Sequence, residues 1–382
     1  MTGKIIPARI VEAREARSMS MEDLANGIGV TRQSISKYEK GIISPSHDTL
    51  KLVSCILDFP LEFFYKAETE DAALSSPLFF RSNSNIAKKS KTASSYQVKW
   101  VNEAKRFLER YFDFVDINLP TIDADYEDLT DADIEELALS IRKQWGLAGD
   151  PIRDLIGLLE NNGIIVSQFS TNSCCPFKGI DAFSSWRDGT PYIMYHPTQK
   201  SAVRTRFSIL HELGHLIMHS SIAIEDSGKK SIVDFADMQA DRFAAAFLLP
   251  STSFPTDIHG SSLASLEAVK KKWGAAMSTI IRRCTTLGLL SENQINYLNR
   301  QMTIQKYWHK EPLDDVLTVA EPEILRDAVY VLIDSRIITK DSFLNSSGLS
   351  ASDLQSICGL PDDFFNGIAK RQKPVLRVVN PT

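Results

Sequence analysis

The chain has 382 residues, length for two or three domains, with 43% hydrophobic content that permits sizeable cores. Its formal net charge of −5 excludes a generic nucleic-acid coat, so any DNA contact must come from a local basic surface. Five scattered cysteines make no disulfide framework and no CxxC pair, and the N-terminus lacks an apolar leader. With no membrane-length apolar run either, the expectation is a soluble cytoplasmic protein.

Residues 1–66 read as a bundle of short helices. Ile6, Ile10 and Ala13 recur at helical spacing. Ser20 caps a second helix with Asp23 in the capping-box position, Leu24, Ala25 and Ile28 give it a buried face, and Gly29 ends it. Thr31 caps a third helix that buries Ile35 and Tyr38 and stops at Gly41. Leu50, Val53 and Leu57 mark a fourth. A helix, a glycine-bearing turn and a second helix form the DNA-reading motif. Its second helix offers Thr31, Arg32, Gln33, Ser34 and Lys37 near the N-terminus, where side chains meet base edges. Gln pairs both edges of adenine and Arg those of guanine, while Lys40 suits phosphate.

The stretch MSMEDLANGIGVTRQSISKYEKGIISPSHDTLKLVSCILDFPLEFF resembles the helix-turn-helix of the XRE family, the Cro and phage-repressor-like proteins, over residues 6–65. Many family members carry Gln where this chain has Met21. The resemblance implies binding to double-stranded operator DNA as a homodimer.

Residues 67–95, rich in Ser, Asn and Lys, read as a linker in which Phe79 and Phe80 dock onto the rest. A long amphipathic helix follows. Its apolar stripe is Val101, Ala104, Leu108, Tyr111 and Val115, and its polar face carries Lys99, Lys105, Arg106 and Arg110. It packs onto its own domain, with a dimer seam as the alternative. Residues 96–310 read as an α+β domain. Two helices precede the strand IIVSQF, and IDAFSSW-RDGT-PYIMYH is a β-hairpin turning at Asp188-Gly189. Two further helices span HELGH and about 234–249, and more helices fill 262–310. Trp308 and the KEP at 310–312 mark an ordered end. Residues 311–382 read as a further helical region without legible chemistry, open to a partner-binding role. The fold class is therefore mainly α with an α+β domain: a helix-turn-helix bundle, a zincin-like domain and a C-terminal helical region.

The decisive chemistry lies in FSILHELGHLIMH at 207–219. On a helix, residues four apart lie one above the other, so His211 and His215 can grip one Zn²⁺. Glu212 beside them suits a general base. Catalytic zinc needs a third protein ligand. His219 lies two turns beyond His211, too far to share one tetrahedral ion, and reads as structural. The helix DFADMQADRFAAAFLLP offers Asp237 or Asp241 instead, one turn apart on one face. The preceding hairpin could offer an edge to an extended peptide. Other polar groups carry blander readings: Cys174-Cys175 as a loop pair, Arg204 and Arg206 as a solvated face, His196 as a loop histidine.

RTRFSILHELGHLIMH followed by DMQADRFAAAFLLP resembles the ImmA/IrrE metallopeptidases from about 179 to 250, with weaker echoes to about 290. In that family a Glu three residues before the A-[DN]-x-F-A signature is the third ligand, and the matching position here is Asp237. The resemblance implies His211, His215 and Asp237 as zinc ligands and Glu212 as general base. Fusion to an XRE unit is a known arrangement. It implies a regulator carrying a zinc endopeptidase that cleaves a partner regulator or itself in response to a signal. The alternative is a non-proteolytic, autoregulating repressor or antitoxin whose zincin-like domain senses a ligand or binds a toxin.

Overall fold

The computed structural model describes residues 4–67, 78–82, 87–122, 124–169, 179–196, 201–222 and 229–365. Cys174 and Cys175 lie outside them. Four helices open the chain: α1 (Pro7–Ala16), α2 (Met21–Ile28), α3 (Arg32–Glu39) and α4 (His47–Leu57). Local chemistry sets their ends. Ser20 and Asp23 form the reciprocal capping box, Gly29 adopts φ 73° to stop α2, and Thr31 caps α3. Leu24, Ile35, Leu50 and Leu57 are fully buried between these helices.

Two elements arise within 67–95: strand β1 (Phe79–Ser82) and the start of α5 (Lys88–Leu108). Helices α6 (Asp131–Gln144) and α7 (Leu155–Glu160) lead to β2 (Ile165–Gln168). The hairpin is β3 (Ile180–Arg187) and β4 (Thr190–Tyr195), with positive φ at Asp188 and Gly189 as a tight primed turn requires. Then come α8 (Ala202–Met218), α9 (Lys230–Leu248), α10 (Leu263–Trp273), α11 (Met277–Thr286) and α12 (Glu292–Ile304). The last described elements are α13 (Ile324–Asp334), α14 (Lys340–Ser347) and α15 (Ala351–Cys358).

The four strands form one sheet in the order β1-β3-β4-β2, antiparallel except that β2 runs parallel to β4. Its two faces feed two cores, as the period-2 alternation of strands demands. Ala182, Ile193 and Tyr195 face the core shared with α8 and α9. Phe183, Tyr192 and Met194 face the other, which runs unbroken through α5, the N-terminal bundle and α13 to α15.

That continuous core is what the sequence reading lacked. The polar side of α1 is buried: Arg9, Glu12, Arg14 and Arg17 are all sequestered. Glu12 accepts bonds from Lys99 and from the Trp100 indole of α5. Arg17 pairs with Asp353 of α15 at 2.6 Å and sits 4.5 Å from the Phe59 ring centroid. Buried ion pairs of this kind cost about 3–5 kcal/mol to break from one side. Helix α5 packs on its own chain, but its expected stripe is corrected at the C-terminal end. It stops at Leu108, leaving Tyr111 and Val115 largely exposed. The chain beyond is drawn across Gly163, where a Cβ would lie 2.6 Å from the Asp116 carbonyl, and Asn118 N–H bonds Asn162 O. Lys99 and Lys105 of the polar face are paired to Glu12 and Glu109.

Candidate metal centre and DNA-reading surface

Helix α8 lies between sheet and α9 with its HELGH turn inside, and His211, Glu212 and His215 are buried. Gly214 makes the close crossing possible. A Cβ there would meet Ala240 Cα at 3.3 Å and Phe243 at 3.2 Å. The tight approach lets the short Asp237 side chain of α9 reach the histidines. His211 Nε2 and His215 Nε2 are 3.0 Å apart, and Asp237 Oδ1 lies 3.7 and 3.3 Å from them. These three residues are the one group among the described residues whose ligand atoms lie close enough together to hold a metal ion. A tetrahedron with bonds of about 2.0–2.1 Å has edges of about 3.3–3.4 Å, so the triangle fits zinc.

The hydrogen-bond network assigns the protons. The Gln239 amide nitrogen donates to Tyr126 O at 2.7 Å, so its oxygen faces His219 Nε2 at 2.9 Å and must accept. His219 Nδ1 then carries a lone pair and accepts from His215 Nδ1, also 2.9 Å away. His211 Nδ1 donates to Asp241 Oδ1 at 2.8 Å. Both neutral rings therefore turn an Nε2 lone pair toward the same point. Two such lone pairs 3.0 Å apart call for a cation between them.

The two aspartates thus separate: Asp237 faces the Nε2 side, and Asp241 orients His211 from behind. Burial pushes His215 well below the usual histidine range and His219 down to about 4. Glu212 is fully buried and accepts the Ser184 hydroxyl of β3 at 2.6 Å. Sequence reasoning missed Ser184 and Gln239, and it expected Phe79 to dock without placing it at this site. The Phe79 ring of β1 stacks on His215 at 4.6 Å with a 6° tilt. Only a long-range fold, not local spacing, brings these groups in.

An open cleft of roughly 660 Å³ lies on the Asp237 and Asp241 side, bounded by Asp181, Arg204 and Arg282. Arg206 is not a solvated group: it is buried and donates to Ile152 O. His196 sits edge-on to Phe169.

In the N-terminal bundle, Arg32, Gln33 and Lys37 are exposed on α3. Thr31 and Ser34 hydroxyls bond each other at 2.9 Å while Thr31 caps Ser34 N–H. Their first duty is to the helix end.

Residues 10–64 match the family model described as helix-turn-helix, and residues 176–285 match a peptidase-family model described as IrrE N-terminal-like domain. The chain joins a helix-turn-helix unit to an IrrE-like unit. The IrrE-like unit contains β3, β4, α8 and α9, hence all three clustered ligand candidates. An uncharacterized HTH-type transcriptional regulator of Sinorhizobium medicae (strain WSM419) is 35% identical over 72 residues, 19% of this chain. The uncharacterized HTH-type transcriptional regulator YqaE of Bacillus subtilis (strain 168) is 30% identical over 60 residues, 16% of this chain. Each alignment covers 52% of the relative, so the chain spans about half the length of the curated relatives it matches.

Proposed function

We propose that the chain is a DNA-binding transcription regulator whose IrrE-like unit is a zinc-dependent endopeptidase. The observation that carries this reading is the triangle of His211, His215 and Asp237 beside a buried Glu212. Zn²⁺ held by those three side chains would polarise a peptide carbonyl and acidify water. The chain's own residues do the rest. Glu212 takes a proton from the water that adds to the peptide carbonyl carbon and returns it to the amine nitrogen as the C–N bond breaks. The Ser184 hydroxyl donates to the Glu212 carboxylate and holds its rotamer. Asp241 orients His211, while His219 and Gln239 orient His215.

The substrate in this reading is a partner regulator or the chain itself, cut in response to a signal. The helix-turn-helix unit holds the molecule at an operator, acting as a homodimer through Arg32, Gln33 and Lys37. A cytoplasmic setting follows from that role, and among the described residues no helix is long and apolar enough to cross a membrane. The non-proteolytic antitoxin reading is separated by one variant. Glu212→Gln should keep zinc and operator binding and lower cleavage of the partner by at least about 100-fold, the scale of a lost general base. An unchanged biological response in that variant would sink the peptidase.

A further inference from the structure

Strand β3 has two hydrogen-bonding edges. The hairpin partner β4 fills one, and β1 fills the other. β1 is only four residues long and belongs to neither matched unit. Its register sets Phe79 opposite Ser184, Phe80 opposite Phe183 and Arg81 opposite Ala182, slipping at Ser82. Position 79 therefore faces the residue that holds Glu212, and its ring lies flat on His215. Phe80 points to the opposite face, 5.6 Å from the Phe183 ring. Leu78, Phe79 and Phe80 all remain partly exposed, so the strand is a surface layer over the metal centre and not a core strand.

We infer that the β3 edge beside His215 is a docking site for an extended peptide with an aromatic side chain, and that residues 78–82 are its resident occupant in cis. Backbone pairing gives such a site its affinity, and the pockets for alternate side chains give it specificity. One pocket is the His215 face for the residue at position 79, and the other is the Phe183 face for its neighbour. An incoming peptide in the same pose must first displace β1. The site deepens the peptidase reading, since it names the form of substrate that reaches Glu212, and it rests on that reading only for its catalytic consequence. A tethered strand acts at an effective concentration of about 1 mM or more. For a free-strand affinity near 0.1 mM, that tether weakens a competitor roughly tenfold.

The probe is a fluorescent peptide of residues 76–84, SPLFFRSNS, titrated by anisotropy into the full chain carrying Glu212→Gln. A second chain adds Phe79→Ser and Phe80→Ser to weaken the cis strand. The peptide should bind the second chain at least about tenfold tighter than the first. The same peptide with both Phe replaced by Ser should bind neither. Equal affinity for both chains, or no binding to the second, overturns the inference. Should the doubly substituted chain misfold, hydrogen exchange on the unsubstituted chain decides. Millimolar unlabelled peptide should raise deuterium uptake in a fragment spanning 78–82, and unchanged uptake overturns the docking site. None of these readouts needs zinc or cleavage. Peptide binding by a chain that holds no zinc supports the docking site while refuting the peptidase.

Discussion

Asp241 and Gln239 never face the point between the two histidines, yet they decide what the histidines can hold. Each Nε2 lone pair exists because the opposite ring nitrogen has been given a proton to donate: His211 to Asp241, His215 through His219 to Gln239 and the Tyr126 carbonyl. Outer partners of this type are worth about 10–100-fold in metal affinity. Asp241→Ala and Gln239→Leu should each weaken zinc binding by about that factor in a chelator competition, with the fold retained by circular dichroism. Unchanged affinity in both variants would contradict the assigned tautomers. His211, His215 and Glu212 were legible from spacing, because residues four apart share one face of a helix. The choice between Asp237 and Asp241 was not. It depends on how α9 rolls over Gly214, a contact between residues far apart in sequence. Phe79 was expected to dock, but nothing local could say that it docks on His215.

Among the elements, caps and turns were the most legible features. Ser20 with Asp23, Thr31, and Asp188-Gly189 all stand where their side-chain chemistry places them. Element ends set by distant packing were not legible, as the early stop of α5 shows. Element junctions also carry a pH signature. Glu160 closes α7 and accepts the backbone N–H groups of Glu323 and Ile324 at the start of α13. Burial raises its carboxyl to about 7, against the pull of those bonds. Between its ordinary value of 4.5 and about 7, the native chain keeps a proton that the unfolded chain has released. The native state therefore loses stability as pH rises through that window, and is fully supported only below it. Glu160→Gln keeps an acceptor oxygen without titrating. Its unfolding midpoint in denaturant should vary less between about pH 5 and 8 than that of the parent chain. Identical pH slopes would show that Glu160 stays ionised throughout.

At the scale of the whole molecule, the DNA-reading bundle is packed against the rest of the chain. One core runs from α1 through α5 and one face of the sheet to α15. Lys66 closes the junction, bonding Glu103 of α5 and the Ser347 carbonyl. The same core receives Phe183, whose strand carries Ser184 and pairs with β1, so α3 and the His211, His215 and Asp237 cluster belong to one packed body. Composition and pattern indicated the order of the parts but not this union, because local spacing cannot show the distant groups with which Arg9, Glu12 and Arg17 pair. A zinc peptidase requires that this body hold a metal. The most direct measurement is the zinc content of the purified full-length chain and of its Asp237→Ala variant, by elemental analysis after dialysis against trace chelator. About one Zn²⁺ per chain, lost or reduced severalfold in the variant, is the expected result for a single three-ligand site. A chain that retains no zinc, or a variant that retains as much as its parent, would contradict it.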